Sequence, residues 1–230
     1  MTPVGEQLCY IDAYARSVET RVAAVESGET TSVVLDRTVF YPGGGGQPSD
    51  RGLLLRTDDG RTWTVRGARK AGGEIVHDLE PDGGDPPAIG EIVRVDLEWA
   101  CRHALMRTHT ALHALCGVVW RDYGALVTGG NMEPGSGRMD FEFERMSGEL
   151  VDAIESTVNA ELAAAHEVRV NVLPRAEASA IPNLIRTKIN LLPEGIEQIR
   201  TIEIVGLDLQ ADGGPRPSRH PRAGELARVT

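Results

Sequence analysis

Polar and apolar positions alternate in short bursts over the first 96 residues, and the period changes near Glu98. Residues 31–41 (TSVVLDRTVFY) are rich in β-branched side chains and read as strand. Residues 53–56 and 61–66 flank Thr57-Asp58-Asp59-Gly60, a hairpin signal, and 73–79 and 90–96 add two short strands. The stretch 80–90 (EPDGGDPPAIG) is loop by composition. From Trp99 to Tyr123 the spacing is helical, with Leu105, Leu112, Cys116 and Val119 on one face at about 100° per residue. Thr128-Gly129-Gly130-Asn131 then reads as a turn, and 137–144 (GRMDFEFE) alternates like a half-buried strand. Ser147 is placed as an N-cap with Glu149 in the first turn behind it. Leu150, Ile154, Val158 and Leu162 then recur every four residues on a second amphipathic helix. A strand over 167–173, a short helix near 176–180 and a strand over 199–205 complete the pattern.

Many short strands with glycine-rich turns and almost no helical period predict a small β-barrel over residues 1–96. Helices mixed with strands that read as antiparallel predict a two-layer α/β sandwich over 97–230. The fold class is therefore α+β. The chain stops at Thr230, where a last strand of the second domain has only begun, so its C-terminus is expected to be truncated or altered.

Charge narrows the choice of partners. Asp and Glu total 34 against 24 Lys and Arg, a formal charge of −10, so any nucleic acid must be met by a local basic patch. Aromatic residues are 4% of the chain, which argues against a platform for stacked bases. Three scattered cysteines, Cys9, Cys101 and Cys116, do not suggest a disulfide framework and fit a reducing cytoplasm. No apolar run approaches the roughly 18 residues of a membrane span, and no signal-peptide pattern opens the chain.

Three local patterns carry candidate chemistry. His109 and His113 stand four apart on one helical face, close enough to share a metal ion or to make ordinary hydrogen bonds. The pair lacks the glutamate of a zincin motif. The second pattern is Phe40-Tyr41-Pro42 followed by Gly43, Gly44, Gly45, Gly46 and Gln47. No Lys-Ser/Thr follows these glycines, so this is not a P-loop. It is either a site where bare backbone meets a ligand, with Gln47 holding a polar group, or a flexible hairpin loop. The third is Asp208-Leu209-Gln210-Ala211-Asp212-Gly213-Gly214 after a strand, where Asp212 is a ligand-binding carboxylate or part of an Asp-Gly turn. His220 follows in a run with Arg216, Arg219, Arg222 and Arg228, which is either a leading candidate to meet a phosphate backbone or a solvated, partly disordered terminus.

In combination these segments are more specific than any one of them. LDRTVFYPGGGGQPSDRG, MRTHTALHAL and IRTIEIVGLDLQADGG resemble, in order and spacing, the alanyl-tRNA editing family. These are the free-standing AlaX proteins, related to the editing domain of alanyl-tRNA synthetase. The resemblance runs from about Leu35 to Gly214, and the length fits the medium-sized type. It implies hydrolysis of the ester joining serine, and secondarily glycine, to tRNA(Ala) in the cytoplasm, at a site holding Zn2+. By position the resemblance makes His109 and His113 metal ligands. The family's Cys-Gly-Gly-Thr-His register reads Asp212-Gly213-Gly214-Pro215-Arg216 here. Asp212 retains an oxygen ligand, but Arg216 offers none. His220 stands in a later segment that resembles the one following the family's final histidine, as its expected replacement.

Gln47 and Thr110 are the expected catalytic contacts, with Thr108 a further candidate for the serine hydroxyl. Gly44, Gly45 and Gly46 are expected to line the pocket, and Arg219 and Arg222 to bind substrate. Arg107 is expected either to bind a substrate phosphate or to pair with Asp50. Two other readings stay open: a catalytically impaired tRNA- or protein-binding relative, motivated by the rewritten 215–220 segment, and a metal-dependent hydrolase of small aminoacyl derivatives, motivated by the acidic charge.

Overall fold

The structure, a computed structural model, describes residues 5–81, 84–188 and 195–212. It is mixed α+β and divides into two compact units, Met1–His103 and Ala104–Thr230. His220, Arg219, Arg222 and Arg216 lie outside the described residues.

The first unit carries β1 (Glu6–Gln7), β2 (Ser17–Glu26), β3 (Ser32–Leu35), β4 (Arg37–Thr38), β5 (Gly52–Arg56), β6 (Thr62–Ala71), β7 (Glu74–Leu79) and β8 (Ile92–Leu97). Six of these close an antiparallel barrel in the order β2-β3-β7-β6-β5-β8. Its interior is filled by Val22, Val33, Leu35, Phe40, Leu54, Trp63, Val65, Ile75, Val93 and Val95. Inward and outward positions alternate along β6 and β8 as the pleat requires. β2 is a ten-residue strand that the sequence pattern did not single out. Its Glu, Ala and Arg content carries little strand propensity, and pairing with both β3 and β8 decides its conformation.

The helix α1 spans Trp99–Tyr123 and ends at Gly124, which adopts φ 66° while its N–H bonds to the Trp120 carbonyl at 3.0 Å. The second unit continues with β9 (Val127–Glu133), β10 (Ser136–Phe141), α2 (Gly148–Ala163), β11 (Val168–Pro174), α3 (Arg175–Ala180), β12 (Gln198–Ile204) and β13 (Asp208–Ala211). β11, β12 and β13 form an antiparallel sheet. Its apolar face packs on α1 and α2 through Val168, Ile202, Ile204, Ala111, Val118, Ile154, Val158 and Leu162. Ser147 caps α2, accepting the Leu150 N–H at 3.2 Å.

Thr128 to Asn131 is not a turn but the body of β9, paired with β10, and the chain reverses at Pro134-Gly135 instead. A β-carbon at Gly130 would lie 2.9 Å from the Arg138 carbonyl, so that glycine serves close strand approach. No described helix is long and apolar enough to cross a membrane.

Candidate metal centre

Two periodicities build the site. Four residues along α1 is just over one turn, which brings His109 and His113 to one side with ring centroids 5.4 Å apart. β13 and the residue after it place Asp208, Gln210 and Asp212 two apart, on one face of an extended segment. Asp212 is held there by its backbone, whose N–H donates to the Arg200 carbonyl at 3.0 Å.

His109, His113 and Asp212 each bring one donor atom into a group in which all lie within 4.8 Å of one another. His109 Nε2 is 3.6 Å from Asp212 Oδ1. The other carboxylate oxygen, Oδ2, accepts from Arg200 Nη1 at 2.8 Å, so Asp212 turns a single oxygen towards the histidines. Both histidines are buried. His113 turns Nδ1 towards Asp208 Oδ2 at 3.7 Å. Asp208 in turn lies beside Arg186, with Nη2 3.4 Å from Oδ1, and accepts from Gln210 Nε2. The guanidinium of Arg186 rests 4.6 Å over the Trp120 ring. Cys116, one turn beyond His113, stays protonated: burial, and then the Asp208 charge, push its thiol up to about 12.

Two imidazoles and one carboxylate oxygen are a donor set that zinc accepts. Tetrahedral zinc with bonds of about 2.0–2.1 Å needs its ligand atoms about 3.4 Å apart. The 3.6 Å separation of His109 from Asp212 is close to that edge.

The threonines on α1 differ in what they can offer. Thr108 donates to the Ala104 carbonyl at 3.0 Å and accepts the Gly135 N–H at 3.0 Å, so its hydroxyl ties the β9–β10 turn to the helix. Thr110 is buried and donates to the Met106 carbonyl at 3.0 Å, which leaves lone pairs to accept a further bond. Arg107 is half buried, and among the described residues its Nε has no hydrogen-bond partner.

In the first unit the glycine run is an ordered hairpin. Gly44 and Gln47 pair through both backbone bonds, at 3.0 and 3.1 Å, around Gly45 (φ 60°) and Gly46 (φ 80°). Two successive positive φ angles are those of a type I′ turn, which glycine adopts without strain. Gln47 is buried. At the base of the loop Tyr41 N–H donates to Asp50 Oδ2 at 2.6 Å, and Asp50 N–H to the Tyr41 carbonyl at 2.9 Å. Asp50 is paired by Arg102, a fully buried arginine that also donates to the carbonyls of Val39 (2.8 Å) and Ala13 (3.2 Å). The expected Arg107 partnership with Asp50 is thus replaced by Arg102. Neither Arg102 nor Asp208 was singled out from sequence. The signal that could have marked Arg102 is a basic residue seven positions before His109, two turns up the same helix.

The family described as tRNA synthetases class II (A) matches residues 9–101. The chain is 34% identical over 223 residues to the alanyl-tRNA editing protein AlaX-M of Saccharolobus solfataricus, covering 96% of this chain and 90% of that one. It is 34% identical over 212 residues to the AlaX-M of Methanosarcina mazei, covering 91% and 84%. The alanine–tRNA ligase of Pyrobaculum neutrophilum is 34% identical over 219 residues, which are 92% of this chain and 24% of the ligase.

Proposed function

The chain belongs to the AlaX-M family of alanyl-tRNA editing proteins, and on that premise we propose that it deacylates tRNA(Ala) mischarged with serine, and secondarily with glycine, at a zinc site held by His109, His113 and Asp212. The observation that carries this reading is the convergence of those three donors from a helix and the end of a sheet strand. Zinc in such a site supplies Lewis-acid polarisation of an oxygen of the aminoacyl ester.

The chain's own residues do the positioning. Arg200 takes one carboxylate oxygen of Asp212, so Asp212 brings the other to the histidines. Burial of both histidines limits bulk water around the ester. The Thr110 hydroxyl, already a donor to its own helix, accepts the hydroxyl of a seryl group. Alanine leaves that acceptor unpaired, and discrimination on a missing hydrogen bond exceeds what one methyl group allows. The first unit offers Gln47 and the backbone of Gly44, Gly45 and Gly46 to the substrate, and Arg107 supplies a cation for a phosphate. His220, Arg219 and Arg222 extend the proposal, with His220 a further ligand and the arginines contacts to the RNA.

The test is release of serine from Ser-tRNA(Ala), with Ala-tRNA(Ala) as control, alongside zinc content. Near-stoichiometric zinc and selective serine release are expected, with both abolished in His109→Ala. Metal-loaded protein that releases serine no faster than buffer would sink the activity. A second reading, a tRNA-binding relative without hydrolysis, is motivated by Asp212 standing in the cysteine register and already engaged by Arg200. Tight tRNA binding without hydrolysis would favour it.

A further inference from the structure

Asp208 is a carboxylate in an expensive place. Its side chain is 1% exposed, and it lies outside the three-donor group. A buried carboxylate must be compensated by cations and hydrogen bonds, since removal from water costs several kcal/mol per ion. Here the compensation is one arginine at 3.4 Å and the Gln210 amide. The third group facing it is His113, through Nδ1.

The helix is shaped to admit this carboxylate. Gly117 lies four residues beyond His113 on α1, and a β-carbon there would fall 2.8 Å from Asp208 Cβ and 3.3 Å from its Cγ. Glycine inside a helix costs about 1 kcal/mol relative to alanine. The contact explains its presence, because any side chain at 117 would drive Asp208 away from the histidine. Arg186 is fixed in turn by its seat on Trp120. Helix, sheet and the segment at 186–188, bridged to β9 at Thr187, each contribute a part whose common point is the carboxylate.

We propose that Asp208 is a positioning residue for the metal centre: its carboxylate stands 3.7 Å from His113 Nδ1, beyond hydrogen-bond length, and closes that gap to accept the Nδ1–H when the ion is bound. It thereby selects the tautomer that leaves Nε2 for the ion, and is held in place by Arg186, Gln210 and the bare backbone of Gly117. This rests on the zinc reading of His109, His113 and Asp212. Ligating histidines that donate their second N–H to a carboxylate gain a fixed ring orientation and a more basic ligand nitrogen, and losing such a partner weakens metal binding about 10–100-fold.

The experiment is zinc affinity by chelator competition on the purified full chain, comparing wild type with Asp208→Asn, Gly117→Ala and His109→Ala. Asp208→Asn keeps the shape and removes the charge. Gly117→Ala keeps every polar group and displaces the carboxylate. Both are expected to bind zinc at least about 10-fold more weakly, a loss read on folded protein, with the metal-free melting temperature measured alongside to separate it from the stability cost of disturbing the buried Arg186 pair. Nitrogen NMR of the His113 ring is expected to report the Nδ1–H tautomer in wild type and its loss in Asp208→Asn. Zinc affinities for both variants within twofold of wild type, or an unchanged His113 tautomer, would overturn the role of Asp208 while leaving the zinc reading intact. Absence of zinc binding by the wild type would instead bring down the zinc reading, and the role of Asp208 with it.

Discussion

His77 shows what a fully enclosed imidazole does in this chain. It sits in the barrel with no exposed surface, beside Phe40 at 5.5 Å between ring centroids. Its Nδ1 faces the Val33 carbonyl at 3.1 Å, which can only accept, so that nitrogen carries the hydrogen. Nε2 then accepts the Thr38 hydroxyl at 2.9 Å, and Thr38 itself accepts the Phe40 N–H. Burial outweighs the Val33 carbonyl and the Asp78 charge and lowers the ring to about 4, against 6.5 for a free histidine. In the window between those values the unfolded chain takes up a proton that the native chain refuses. Stability therefore falls as pH drops from 6.5 towards 4, by about 3 kcal/mol in all. Urea unfolding across that window is expected to show this slope in wild type and to lose it in His77→Gln; equal slopes would contradict a neutral buried ring. His109 and His113 were legible at this same scale because a spacing of four is visible in a sequence. Asp208 was not, because its position depends on Gly117, a glycine 91 residues earlier in the chain.

Elements were legible where the local period and the tertiary contacts agree. The helix from Trp99 to Tyr123, the Ser147 cap and the barrel hairpin at 57–60 are of that kind. β2 was not, since one of the strands that fix it, β8, lies far along the chain, and β9 was not, because its glycines read as a turn although its partner β10 follows directly. Glycine misled in both directions. Gly129 and Gly130 read as a turn but sit in a strand, while Gly45 and Gly46 read as loose and form a closed two-residue turn. Arg102 explains how the glycine hairpin keeps one conformation. Its guanidinium joins Asp50 to the carbonyls of Ala13 and Val39 without exposure to water. Truncating one member of such a pair leaves a buried charge alone. Arg102→Met is expected to cost about 3–5 kcal/mol of stability. Asp50→Asn, which keeps one acceptor oxygen but strands the buried Arg102 charge, is expected to cost a comparable amount. Denaturant midpoints at constant slope decide it; a loss under 1 kcal/mol for Arg102→Met would show that the loop does not depend on this pair.

At the scale of the whole molecule the difficulty is charge. A chain with a formal charge of −10 is proposed to act on RNA, a polyanion that its general field repels. The balance is uneven along the sequence, however. Residues 213–230 hold four arginines against one glutamate, and residues 61–70 hold three arginines and a lysine with no acid. Within the second group Arg69 already pairs with Asp78 and Arg66 donates to Thr30, which lowers its value for an outside phosphate. The C-terminal arginines are therefore the stronger choice. Each phosphate contact releases a condensed counterion, so log K falls with log salt at about −0.7 to −0.9 per contact. Replacing Arg219 and Arg222 together by alanine is expected to flatten the slope of tRNA binding by about 1.5, to weaken binding most at low salt, and to leave zinc content unchanged. Replacing Arg66 and Arg69 is expected to move the slope less. Filter binding between low and moderate salt measures both. Equal slopes in wild type and the Arg219/Arg222 variant would place the phosphate contacts elsewhere, and a larger change in the Arg66/Arg69 variant would move them to the barrel.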